Sequence, residues 1–174
     1  DESGGGATFS GGEPLSQADY LIELLRACRG EEIHTAVDTC GFAAPETLQA
    51  VARWTDLFLY DVKTLDDDAH RRHTGASNAT ILENLEMLGR SHANIWIRVP
   101  VVPGVNDAPE DVEAVARLVR RLPGVRQLAL LPYHGLGSHK PGGARSATAP
   151  PAPRRLAELL DCVRALGIPA RVGG

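Results

Sequence analysis

The sequence predicts an α/β fold whose strands run parallel in an open, barrel-like sheet. Short runs of strand character alternate with amphipathic helical stretches along the chain. Five such strand–helix units can be read, short of the eight in a closed barrel. Polar residues also gather where strands end: Glu13, Asp38-Thr39, Asp61 with Lys63, Arg98, and Tyr133-His134. In parallel α/β sheets ligands bind at the carboxyl ends of the strands. These separated side chains are therefore expected to converge on one rim.

The chain is organised around Thr8-Phe9-Ser10-Gly11-Gly12-Glu13-Pro14. Thr8 to Ser10 read as the end of a strand, and Gly11-Gly12 as a turn with a freedom of backbone that side chains forbid. A helix follows, with Ser16 and Asp19 as a variant capping box and Leu21, Leu24, Leu25 and Cys28 on one face. Residues 33–38 form the next strand, and Pro45 opens the next helix. Residues 56–62 are an apolar third strand. Residues 63–77 read as a polar connection containing His70 and His73, both expected at the surface or in capping roles. Asn78 is placed as the cap of a helix built on Ile81, Leu82, Leu85 and Leu88. Residues 94–102 are a fourth strand, and Pro109 starts a helix. Residues 125–131 are a fifth strand. Residues 135–153, rich in Gly, Pro, Ser and Ala, read as a surface loop or lid. A last helix ends at Gly167, and residues 168–172 can add a short edge strand.

At 174 residues the chain is one domain, 1–174, with enough length for a sizeable core. A net charge of −4 gives no basic footprint for nucleic acid. No apolar run reaches membrane-helix length. Three scattered cysteines fit a reducing cytoplasm better than a disulfide framework. The chain opens on Asp1-Glu2-Ser3 without an initiator Met, so a fragment is expected.

Each rim group has a chemical and a structural reading. Asp38 and Asp61 are hard oxygen ligands suited to a hard cation, or else partners for Lys63 or Arg98. Asp61 and Lys63 share one side of the pleat; a carboxylate there can take ribose hydroxyls and an ammonium a ligand carboxylate. Arg98, inside an apolar strand, needs a partner in Asp61, Glu13 or a ligand. Cys28 and Cys162 suit core packing, whereas Cys40 on the rim is the one plausibly reactive thiol. Lys63 as a Schiff-base lysine is a further chemical alternative.

Six ordered motifs then carry a resemblance. They are residues 3–17 around Gly11-Gly12-Glu13-Pro14, Asp38-Thr39-Cys40-Gly41, Leu59-Tyr60-Asp61-Val62-Lys63, Thr74-Gly75-Ala76-Ser77-Asn78, residues 97–107 from Ile97-Arg98-Val99-Pro100 to Asn106-Asp107, and Leu131-Pro132-Tyr133-His134. This set resembles the glycyl-radical-enzyme activating enzymes of the radical S-adenosylmethionine superfamily, of the pyruvate formate-lyase activase type. The resemblance implies a partial (β/α)6 TIM-like barrel, here missing the first strand and keeping strands 2 to 6 plus the C-terminal helix. It implies S-adenosylmethionine held by Gly11, Gly12, Glu13, Asp61, Val62, Lys63, Arg98 and His134. It also implies a monovalent-cation site at Asp38, Thr39, Leu59 and Asp61. A [4Fe–4S] cluster is implied for the parent family, but its C-x3-C-x2-C loop is absent, so none is expected in this chain. The implied activity is generation of a 5′-deoxyadenosyl radical that takes hydrogen from a glycine of a partner glycyl radical enzyme. A flavodoxin or ferredoxin-type donor would supply the electron. The alternative from another class is a cluster-free S-adenosylmethionine or nucleotide-binding remnant or regulatory module.

Overall fold

The computed structural model describes residues 5–133 and 149–173. It contains six strands: β1 (Gly6–Phe9), β2 (His34–Thr39), β3 (Leu57–Asp61), β4 (Ile95–Val101), β5 (Val125–Pro132) and β6 (Ala170–Val172). All pair in parallel and in chain order, which leaves β1 and β6 as the two edges. The helices are α1 (Ala18–Gly30), α2 (Pro45–Ala52), α3 (Asp67–Thr74), α4 (Ala79–Ser91), α5 (Pro109–Val119) and α6 (Pro153–Ala165).

The pattern along β4 explains why the sheet is barrel-like rather than doubly wound. Ile95, Ile97, Val99 and Val101 are buried, while Trp96, Arg98 and Pro100 on the opposite face are partly open. A doubly wound sheet would cover both faces. Here the apolar face packs against the helices. Leu25, Leu48, Val51, Leu85, Val115 and Leu159 close over Val37, Phe58, Tyr60, Ile97, Leu128 and Leu130 in one core. The other face lines the lumen, and its upper end carries the charged residues.

Three expectations change in the structure. The connection at residues 63–77 contains a helix, α3, which lacks an apolar stripe and is specified by its ends. Asp66 accepts from the Ala69 N–H at 2.9 Å, and Gly75 closes it in the left-handed region at φ 82°. His70 is buried there, with Nδ1 2.7 Å from the Ala76 carbonyl. Asp67 takes the Ser77 hydroxyl, the Asn78 N–H and Arg71, and these hold its carboxyl down at about 2. The Ser16–Asp19 box is not used. Instead Glu13 caps a single 3-10 turn at Pro14–Gln17, and the Ser16 hydroxyl donates to the Glu13 carbonyl. Asn78 stands at the α4 cap position, but its amide donates to the Thr64 carbonyl at 3.1 Å.

Burial ranks the expected cost of truncation. Leu85, with no exposed area, should lose about 2–5 kcal/mol as Leu85→Ala, a fall of roughly 5–15 °C in Tm by calorimetry. Tyr20, 65% exposed, should change stability by about 0.5 kcal/mol or less as Tyr20→Ala.

Candidate functional site

The rim begins with the Gly-Gly turn after β1. Gly11 and Gly12 hold φ of 94° and 62°, and a Cβ on either would meet nothing within 4 Å. Their peptide groups are exposed in a conformation side chains resist. Glu13, next in the chain, does not reach outward. Its Oε1 accepts from the Leu15 N–H at 3.2 Å and from the Thr39 hydroxyl. Its Oε2 accepts from both the N–H and the thiol of Cys40, each at 3.1 Å. Four donors saturate this carboxylate. Glu13 is therefore the pin between the Gly-Gly turn and the β2 exit loop.

That exit loop is tightly constrained. The Gly41 N–H donates to the Thr39 hydroxyl at 2.8 Å. A Cβ on Gly41 would fall 1.8 Å from the Tyr60 hydroxyl, so no larger residue fits. Tyr60 is itself fixed by donating to the Ile81 carbonyl at 2.7 Å.

The lumen side of three neighbouring strands carries the charge. The register sets Asp38 opposite Leu59 and Asp61 opposite Arg98. The Arg98 guanidinium donates through Nε to Asp61 at 2.8 Å and through its terminal nitrogen to Asp38. Ser10 donates to the other Asp38 oxygen at 3.1 Å. Burial works against the charge on Arg98, but Asp61 and Asp38 outweigh it and keep it protonated. Burial lifts the Asp61 carboxyl above its usual range, and Arg98 and Lys63 limit the rise. Of the partners expected for Arg98, Asp61 and Asp38 are found and Glu13 is not.

Lys63 is exposed, and its charge acts on both Asp61 and Cys40. It forms no ion pair among the described residues. Val62 is buried, and its N–H donates to the Arg98 carbonyl at 2.9 Å. His134 lies outside the described residues, as do residues 135–148 of the expected loop. Gly11, Gly12, Asp38, Asp61, Lys63 and Arg98 thus border one mouth at the carboxyl ends of β1 to β4.

Sequence reading missed the groups that hold this mouth in shape. Asn84 donates to the carbonyls of Gly41 and Ala43 at 2.8 and 2.9 Å. Asn78 holds Thr64, and Asn106 holds Lys63 and Pro100. All three asparagines are buried. The signal for Asn84 was available, since it interrupts the apolar stripe of Ile81, Leu85 and Leu88. Nothing local separates Asn78 and Asn106 from ordinary turn residues.

The reactivity expected of Cys40 is corrected. Burial first, then the Glu13 carboxylate, pushes its thiol up to about 11. Cys28 lies in α1 and Cys162 in α6, and all three cysteines are free. Among the described residues no group of three or more His, Cys, Asp or Glu is placed to hold a metal ion. None of their helices is long and apolar enough to cross a membrane.

Residues 2–119 match the Radical SAM superfamily. The chain belongs to that superfamily. The trans-4-hydroxy-L-proline dehydratase activating enzyme of Clostridioides difficile is 44% identical over 143 residues, covering 80% of this radical SAM chain and 47% of the relative. The pyruvate formate-lyase-activating enzyme of Listeria monocytogenes is 40% identical over 146 residues, covering 80% and 59%. The chain thus spans about half the length of these curated relatives. A crystallised domain of the pyruvate-formate lyase-activating enzyme from Bacteroides vulgatus superposes with a TM-score of 0.85 at 31% identity, over 98% of this chain and 99% of that one. The open six-strand sheet is thus the partial barrel of the radical SAM fold.

Burial, reinforced by the Glu13 carboxylate, keeps the Cys40 thiol protonated near neutral pH. That thiol, at about 11 against an ordinary 9.0, should carry about a hundredfold less thiolate at pH 8, and iodoacetamide labelling of Cys40 followed by mass spectrometry should be correspondingly slow. Because folding raises this group, its contribution to stability is complete below pH 9 and is lost as the pH rises towards about 11. Glu13→Gln should accelerate the labelling and lower Tm, since an amide cannot accept all four donors.

Proposed function

We propose that this chain is a single radical SAM core fragment, residues 1–174, from the C-terminal part of a glycyl-radical-enzyme activating enzyme, and that its rim binds S-adenosylmethionine. The observation that carries this is the exposed Lys63, which forms no ion pair among the described residues, at the same end of the sheet as the exposed Gly11-Gly12 backbone. The activating-enzyme relatives support the class of reaction.

The residues present fit the cofactor. Exposed peptide groups of Gly11 and Gly12 can meet an amino group, with Glu13 fixing the turn. Lys63 can pair with the carboxylate. Asp61 and Val62 would meet the ribose, and Arg98 and His134 would complete the set. Bound S-adenosylmethionine would supply the 5′-deoxyadenosyl group that takes hydrogen from a glycine of the partner glycyl radical enzyme. The chain's own part is to orient the ligand and to set the charge around it. A monovalent cation would use Asp38, Thr39, the Leu59 carbonyl and Asp61, in competition with the groups that already hold them. The Thr39 hydroxyl is committed to Glu13 and Gly41, and the Arg98 guanidinium bridges the two carboxylates.

The [4Fe–4S] cluster does not fit. Cys28 lies in α1, Cys40 after β2 and Cys162 in α6, and the Cys40 thiol donates to Glu13, so the three form no local cluster loop. No step through a cluster is assigned to these residues. The second reading is a cluster-free binding or regulatory module. In the activase reading a flavodoxin or ferredoxin-type donor supplies the electron, and the setting is cytoplasmic, with neither nucleic acid nor membrane as partner.

Titration calorimetry of the purified chain with S-adenosylmethionine should give one binding site. Lys63→Ala should weaken it at least about tenfold, the scale of one charge-assisted hydrogen bond. Absence of binding, or binding indifferent to Lys63→Ala, would remove the reading. Iron and sulfide reconstitution should yield no cluster absorbance from these three cysteines.

A further inference from the structure

The β3–β4 ladder ends because of one residue. The Val62 N–H donates to the Arg98 carbonyl at 2.9 Å, and the next donor along β4 would be Pro100, which has no N–H. Without that bond the two strand ends can part just where Lys63 leaves the sheet. The side chain of Asn106 spans the gap. Its amide nitrogen donates to the Lys63 carbonyl at 2.5 Å and to the Pro100 carbonyl at 2.7 Å. Its oxygen accepts from the Val102 N–H at 2.7 Å. The residue is 3% exposed, so these bonds have no ready replacement from water.

The turn that presents Asn106 is itself braced. The Asn106 N–H donates to the Val102 carbonyl at 3.2 Å, and the Gly104 N–H to Asp107 at 2.8 Å. From α6, Arg155 donates to the Asp107 carbonyl at 2.9 Å. Asn106 is thus a fixed point, and the Lys63 backbone is hung from it.

We infer that Asn106 is the positioning residue for Lys63, tying the Lys63 carbonyl to β4 where Pro100 ends the ladder and so fixing where the ammonium meets the cofactor carboxylate. The inference rests on the proposed S-adenosylmethionine site. Asn106 touches no ligand. It acts through the backbone of Lys63, which is why its effect must disappear when the ammonium is absent.

A double-mutant cycle reads this directly. Calorimetry is run with S-adenosylmethionine, and with methylthioadenosine, which lacks the amino acid moiety, on four proteins: unsubstituted, Asn106→Ala, Lys63→Ala and the double variant. Asn106→Ala should weaken S-adenosylmethionine about tenfold and methylthioadenosine less than about twofold. Added to Lys63→Ala, it should cost less than about twofold more. Val119→Ala, a buried truncation at the far end of α5, controls for lost stability; it should lower Tm while leaving both affinities unchanged. Asn106→Asp keeps the acceptor for Val102 and loses the donors, so it should behave like Asn106→Ala. Equal weakening of both ligands, or full additivity with Lys63→Ala, would overturn the positioning role and leave the binding site standing. No binding by the unsubstituted protein would overturn both.

Discussion

One guanidinium holds the mouth of this barrel together. Arg98 reaches from β4 to Asp61 on β3 and Asp38 on β2, so three successive strands share a single cation. Its side chain is only 15% exposed, and the two carboxylates 22% each. Charges this sheltered are costly to leave alone, so removing the arginine would set two carboxylates against each other. The pair geometry requires the β2–β3–β4 register to be as it is. A slip of one residue would turn Arg98 into the helix layer.

A second set of constraints works on neutral groups. Strand ends at the rim expose peptide groups that the ladder no longer satisfies. Glu13 takes the donors of the β2 exit loop, and Asn84 takes its carbonyls. Asn78 and Asn106 take carbonyls just after β3, and Asn106 also takes the Pro100 carbonyl near the end of β4. Each loop is thereby rigid without contributing to the apolar core. The result leaves few groups on the mouth uncommitted. Among the described residues, Gly11, Gly12 and Lys63 stay exposed at this end of the sheet.

Much of this was legible in the sequence, because periodicity and punctuation agree. Pro45 and Pro109 begin helices as read, and the apolar runs fall within a residue or two of the observed strands. The convergence of Asp38, Asp61, Lys63 and Arg98 followed from parallel topology alone. What escaped notice depended on tertiary contact. Helix α3 has polar caps and no stripe, so periodicity was blind to it. The raised Cys40 thiol depends on burial and on Glu13, far away along the chain. The buried asparagines owe their role to carbonyls that only folding brings near. Pairing of Arg98 with Asp38 or Asp61 was among the readings, while the single guanidinium bridging both needed the register.

The central claim is that residues distant in sequence form one adenosyl-ligand mouth. An NMR titration of the 15N-labelled chain with S-adenosylmethionine tests it in a single measurement. The account predicts one saturable set of shifts covering the amides of Gly11, Gly12, Cys40, Val62, Lys63 and Arg98 together. Shifts confined to one strand end, or gathered at the opposite end of the sheet, would contradict it.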